Sequence, residues 1–163
     1  LLFMGNEFGQ TDEWNYKTAL RWDLLQYDCH SGMQNCVSAL AHLMKSEPAL
    51  YVKQFDNQGF EWLDLNHREE SVISYKRKGL HENDDIIVVL NMTPIERIDW
   101  TIQCDDEVSI WEEIFNSDEK EYWGTGNYVN KLPISPKKQI NVKNHEIKLT
   151  LPPLGGCILK KRP

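Results

Sequence analysis

The sequence predicts a mainly β chain. An antiparallel β-sandwich occupies residues 53–163, preceded over residues 1–52 by a strand, a loop and a helix of the kind that ends a (β/α)8 barrel. Three observations predict this. Residues 1–4, Leu-Leu-Phe-Met, form an apolar run with no polar lead-in and stop at a Gly-framed polar cluster, the pattern of a buried parallel strand opening onto the mouth of an α/β barrel. A helix-period segment follows. After Tyr51 the period changes to short strands divided by Gly, Pro and Asn turns, which is sandwich patterning. A barrel takes about 250 residues and one barrel-type strand is visible, so the chain is expected to be the C-terminal piece of something larger.

In order along the chain, residues 11–30 are irregular and dense in Trp, Tyr and Asp, with Trp14, Tyr16, Trp22 and Tyr27 among Asp12, Asp23 and Asp28. A long loop of this composition after a barrel strand is more often functional than filler. Ser31-Gly32-Met33-Gln34 has capping-box form, and Met33, Val37, Leu40, Ala41 and Met44 then recur at helical spacing, predicting a helix with a core-facing stripe. Pro48 ends it and pushes Glu47 out of the helical region. The junction near residues 50–56 has no Gly/Ser run, so helix and sandwich are expected to pack closely.

Strands are predicted at Phe60–Leu63, at Ser71–Arg77 with Ile73 and Tyr75 on one side, and at Ile86–Leu90. The last is a continuous apolar run that needs cover on both faces. Further strands are predicted at Arg97–Gln103, Val108–Phe115, Glu146–Leu151 and Gly155–Leu159. Residues 117–137 form a long loop with Gly124, Gly126, Pro133 and Pro136. Trp62 is expected in the sandwich core.

Composition narrows the function classes. The 163 residues are 40% hydrophobic and 26% charged, with net charge −7, an ordinary globular profile. The acidic balance argues against nucleic acid or an anionic membrane as partner and suits a neutral substrate. There is no 18-residue apolar run. Cys29, Cys36, Cys104 and Cys157 form no CxxC pair, so buried thiols in a reducing, cytoplasmic compartment are expected, with no metal and no cofactor.

The run Leu-Leu-Phe-Met-Gly-Asn-Glu-Phe-Gly-Gln-Thr-Asp-Glu-Trp-Asn at residues 1–15 resembles the eighth barrel strand and following loop of bacterial 1,4-alpha-glucan (glycogen) branching enzymes of glycoside hydrolase family 13. The resemblance continues through Leu20-Arg21-Trp22-Asp23, Glu47-Pro48-Ala49-Leu50, Gly59-Phe60-Glu61-Trp62, Val89-Leu90-Asn91-Met92-Thr93-Pro94, Asn116-Ser117-Asp118 and Leu151-Pro152-Pro153-Leu154. It covers nearly the whole chain in order. It implies that residues 1–52 end a catalytic barrel and that 53–163 are an amylase-type all-β domain. It also implies that the parent is a retaining transferase that moves α-1,4-glucan segments onto a 6-hydroxyl. The loop Tyr122-Trp123-Gly124-Thr125-Gly126-Asn127 only approximates the Gly-Gly-Ser-Gly form usual in that family, and Gln103–Glu107 lacks its Pro-Gly turn.

Retaining chemistry needs a carboxylate nucleophile and a carboxylic acid flanking one bond. The resemblance places both on strands preceding Leu1. The adjacent pairs Asp84-Asp85, Asp105-Asp106 and Glu112-Glu113 point to opposite faces where they lie on strands and read as solvated charges, so no catalytic residue is expected here. The resemblance assigns Asn6, Glu7 and Gln10 to the rim of the active-site mouth, able to bind sugar hydroxyls or fix neighbouring loops. Glu7 equally suits an ion pair with a barrel residue. Trp14 and Trp22 are expected to stack on glucose rings or to pack loop on barrel, and Tyr122 and Trp123 are candidates for a secondary glucan contact. The partners are then an α-glucan and the upstream barrel of the same polypeptide. Without that barrel, Leu1–Met4 would disorder or pair with a second copy as a dimer. Two rival readings are a freestanding carbohydrate-binding sandwich and the end of another family 13 enzyme, a trehalohydrolase or a debranching enzyme.

Overall fold

The computed structural model describes residues 2–104, 110–130, 134, 137–138 and 145–162. Two 3-10 turns, Asn6–Phe8 and Trp22–Gln26, lead into helices α1 (Asp28–Ser46) and α2 (Pro48–Tyr51). Among the described residues eight strands follow: β1 (Phe60–Asp64), β2 (Val72–Arg77), β3 (Ile86–Asn91), β4 (Arg97–Cys104), β5 (Ile110–Asn116), β6 (Lys137–Lys138), β7 (His145–Leu151) and β8 (Gly155–Arg162). They form a five-stranded sheet ordered β1-β2-β3-β8-β5 and a three-stranded sheet ordered β4-β7-β6. Neighbours within each sheet run antiparallel. The predicted sandwich is present. Leu1 and the pair Asp105-Asp106 lie outside the described residues.

Alternation along β3 and β8 builds two cores, because successive side chains leave opposite faces of a strand. Ile87, Val89, Cys157 and Leu159 meet Ile102, Ile147, Leu149 and Leu151 of the facing sheet, with Trp111 fully buried among them. Ile86, Val88 and Ile158 point the other way, onto Cys36, Ala39 and Leu43 of α1 and Ala49 of α2. The molecule is therefore three layers, helix on sheet on sheet. The apolar run at Ile86–Leu90 is explained by cover on both faces.

Pro48 stops α1 as expected. Glu47 is extended at φ −99°, ψ 108°, and Pro48 opens α2. The Glu47 carboxylate then pairs with Lys160 Nζ of β8 at 2.5 Å, both side chains largely shielded from water. The junction between helix and sandwich is thus held by a close ion pair as well as by packing.

Several expectations are corrected. Residues 2–4 are exposed and outside any strand, because a strand exists only where a neighbour satisfies its backbone groups. Helix α1 begins at Asp28, without a side-chain cap. Ser31 lies inside it, its Oγ donating back to the Tyr27 and Asp28 carbonyls at 3.3 and 3.2 Å. The stripe predicted to face the core does not: Met33, Leu40 and Met44 are exposed. The sheet takes the adjacent face, Cys36, Ala39 and Leu43. Trp62 is 48% exposed because β1 is an edge strand. There it makes an aromatic cluster with Phe60, at 4.8 Å, and Tyr75, at 6.0 Å.

Gly156 of β8 lies opposite Leu90 of β3. A Cβ there would sit 2.6 Å from both Leu90 Cδ2 and the Val89 carbonyl oxygen, and the latter is fixed in the sheet. Gly156→Ala is expected to destabilise the chain by about 1–3 kcal/mol through overpacking. Urea denaturation would show this as a lower midpoint.

Candidate functional site

The predicted rim is a loop wound around one 3-10 turn. Gly5 and Gly9 bracket Asn6–Phe8 with φ +91° and +64°, backbone states that a residue with a Cβ adopts at a cost. The turn is pinned from beneath. Phe8 is fully buried, and its carbonyl lies 2.8 Å from His30 Nδ1 on α1. Trp22 lays its ring on Phe8 at a centroid distance of 5.0 Å and remains 52% exposed.

The charged frame of the loop centres on Arg21. Its guanidinium donates to both carboxylate oxygens of Asp23, at 2.9 and 2.8 Å, and to Asp12 at 2.8 Å. Its backbone N–H donates to Gln10 Oε1 at 3.0 Å. Donating to Asp23 and Asp12 holds the guanidinium pKa above its usual value, and accepting from Arg21 holds the Asp23 carboxyl below its own. All three side chains are about half exposed, so the clamp orders the loop more than it stabilises the fold.

The five predicted site residues divide. Asn6, Glu7, Gln10 and Trp22 gather at the turn. Asn6 is exposed. Glu7 folds back so that its Oε2 accepts the Gly5 N–H at 2.9 Å. Gln10 links the turn to Arg21, its amide also donating to the Asp12 carbonyl at 3.3 Å. Trp14 sits with other partners: edge-on to Phe3 at 5.2 Å, beside Tyr16 at 6.0 Å, its Nε1 donating to Met4 Sδ at 3.3 Å. It is 43% exposed. The loop thus presents two exposed indoles and a set of amides and carboxylates, the groups that suit a polyhydroxylated ring. The pinning residues Phe8, Arg21 and His30 were missed in the sequence, although Asp12, Arg21 and Asp23 could have suggested a charge clamp.

An apolar cavity lies elsewhere. A cleft of about 820 Å³ runs between α1 and the five-stranded sheet, lined by Leu40, Met44, Phe60, Tyr75, Leu90 and Leu154 among others. Its walls are almost wholly apolar, which suits an apolar side-chain surface better than a sugar. The cysteines are free, burial pushing the Cys36 and Cys157 thiols up. No cluster of His, Cys, Asp or Glu able to hold a metal occurs among the described residues. No helix among them is long and apolar enough to cross a membrane.

A polar network folds the loop after β5. Buried Asn116 donates from Nδ2 to Glu113 Oε2 and to the Tyr128 carbonyl, both at 3.0 Å, while its Oδ1 accepts the Asp118 N–H at 2.9 Å. The Asp118 carboxylate accepts N–H groups from Thr125, Asn127 and Tyr128 at 2.8–3.2 Å and the Thr125 hydroxyl at 2.9 Å. Asn130 donates from its backbone N and its Nδ2 to Glu113, at 2.8 and 2.7 Å. Of the pair expected to be solvated, Glu112 is ion-paired with Arg162. Glu113 is held inside this network, where burial raises its pKa against the lowering hydrogen bonds of Asn130 and Asn116.

The loop passes through a 3-10 turn at Lys120–Tyr122. Tyr122 stacks on Phe115 at 5.3 Å. Trp123 follows at φ +67°, ψ +20°, a left-handed state that costs a bulky residue about 1–2 kcal/mol. Its ring is 67% exposed.

Burial pushes the Asp118 carboxyl up, but the hydrogen bonds from Thr125, Tyr128 and Asn127 outweigh it and leave the pKa below the ordinary 3.8. The stabilisation is therefore fully present above that value and is lost as pH falls through the lowered folded-state pKa. Asp118→Ala is expected to cost about 2–3 kcal/mol in urea unfolding at neutral pH. The difference from wild type should shrink as unfolding is repeated at progressively lower pH.

Comparison with known proteins gives a consistent picture. The chain is 41% identical to the 1,4-alpha-glucan branching enzyme GlgB of Aquifex aeolicus over 98% of its own length and 25% of that protein. It is 42% identical to the enzyme of the same name from Methylococcus capsulatus over 98% of itself and 21% of that protein. For the counterpart from Halothermothrix orenii the identity is 39%, with 98% and 25% coverage. The chain thus spans about a quarter or less of the length of the curated relatives it matches. The model of the alpha amylase C-terminal all-beta domain matches residues 62–162, from β1 to the end of β8. By that match, over more than half of its length, the chain belongs to the alpha amylase C-terminal all-beta domain family.

Proposed function

We propose that this chain is the C-terminal part of a 1,4-alpha-glucan branching enzyme, with residues 1–52 ending its catalytic barrel and 53–163 forming the all-β domain. The observation that carries this is similarity that does not stop at the sandwich. Relatives bearing that name match at 41–42% identity across 98% of the chain, so the loop of residues 5–27 and α1 lie within the matched stretch. The exposed Met33, Leu40 and Met44 of α1, with Leu2, Phe3 and Met4, supply the apolar surface that an upstream barrel would cover. When it is not covered, the same surface favours pairing of two copies. The free thiols suit a reducing, cytoplasmic setting.

On this reading the carboxylates of the double displacement lie elsewhere in the polypeptide. This chain contributes the rim of the site. Trp22 and Trp14 offer flat faces to glucose rings, while Asn6 and Gln10 offer amides to sugar hydroxyls. Glu7 is a positioning residue that holds the turn through Gly5.

Two measurements test the proposal. The chain by itself is expected to leave the iodine staining of amylose unchanged, whereas the longer polypeptide carrying it should lower that staining; no branching by the longer polypeptide would defeat the assignment. In that polypeptide, Trp22→Ala is expected to raise KM roughly three- to tenfold with kcat little changed, as loss of a stacking contact equally present in ground and transition states. An unchanged KM would remove Trp22 from the glucan path.

A further inference from the structure

Trp123 combines three features that stability alone does not explain. Its backbone is left-handed at φ +67°, its indole is 67% exposed, and its place is heavily specified. The Asp118 network closes the loop around it. Gly124 has no room for a side chain, since a Cβ would lie 2.3 Å from the Asp118 carbonyl. Gly32 of α1 likewise lets the loop approach, since its Cβ would lie 2.7 Å from Trp123 Cβ. A glycine at 123 would adopt this backbone freely, and an exposed ring returns little burial to offset the strain. Strain kept at an exposed aromatic points to a contact made outside the chain.

We propose that Trp123 is a stacking platform for a single α-1,4-glucan chain, separate from the rim loop. The ligand class rests on the branching-enzyme reading; the location does not. An indole takes the apolar face of a glucose ring. The neighbouring Glu119 and Glu121, which line the cavity beside Glu113, give this loop a negative charge that repels phosphate or other anionic partners and favours an uncharged sugar. The site lies on its own flank of α1. The rim loop meets the helix at His30 and Met33, nearest Gly9, whereas the Trp123 loop meets it at Gly32, about 100° around the helix from Met33. A glucan held at Trp123 would be a second chain or a distant segment of the same one.

The test is an NMR titration of the 163-residue chain with maltoheptaose, following the indole N–H signals, with Trp123 assigned from Trp123→Gly. The expected result is a saturable shift at Trp123. Trp123→Gly should weaken the affinity at this site roughly three- to tenfold, with an unchanged or raised thermal midpoint. Trp123→Tyr, which keeps a flat ring, should retain most of the affinity. A silent Trp123 signal, or Trp123→Gly binding as wild type does, would overturn the platform. So would a lowered midpoint in Trp123→Gly, which would make the residue structural. Failure of the functional assignment looks different: there the longer polypeptide does not branch amylose, whatever Trp123 binds.

Discussion

The structure depends on the two-sided burial of β3 and β8. β3 carries apolar residues at every position but its last and β8 carries them at Cys157–Leu159, and each face has its own cover. Ile87, Val89 and Leu159 are closed off by the smaller sheet; Ile86, Val88 and Ile158 are closed off by α1 and α2. A sheet with one solvated face would need polar residues at alternate positions. Here that alternative is unavailable, so the helical layer is part of the hydrophobic core and not an appendage. The ion pair between Glu47 and Lys160 adds direction to this contact. It joins the end of α1 to β8, and both groups lie where water screens them weakly.

Outside the sheets, order comes from amides that use their full hydrogen-bonding capacity. Asn91, 2% exposed, donates to the carbonyls of Ile95 and Pro152 and accepts from the backbone and hydroxyl of Thr93. It stitches the β3–β4 turn to the β7–β8 turn. Asn116, Asp118 and Asn130 do the same for the loop after β5. A buried asparagine is costly unless each of its groups finds a partner. Once satisfied, it fixes irregular backbone with a specificity that apolar packing lacks. This is how a loop without regular structure can hold Trp123 in a left-handed state.

Helix α1 transmits that order to the loop of residues 5–27. Its sheet-facing side anchors it, His30 holds the Phe8 carbonyl, and Gly32 receives the Trp123 loop. The loop of residues 5–27 is therefore positioned by the sandwich through one helix, and two aromatic surfaces are set on different sides of it. The apolar side of α1 that the sheet leaves uncovered is the natural place for further packing.

The sequence by itself determined what is local. Alternation placed β2 and β7, the apolar run placed β3 as a doubly covered strand, and Pro48 ended α1, because side-chain direction and proline sterics act over a few residues. The ordered motifs also carried the family. Tertiary structure decided what depends on neighbours. Residues 2–4 are not a strand, since pairing is a property of two chain segments. The packed face of α1 lies one step from the predicted stripe, since an apolar residue can serve either of two surfaces. Trp62 is exposed because its strand falls at a sheet edge, and Glu113 is enclosed because a loop 17 residues away folds Asn130 over it. The left-handed backbone of Trp123 is likewise set by Asp118 and Gly32, and no propensity of tryptophan announces it.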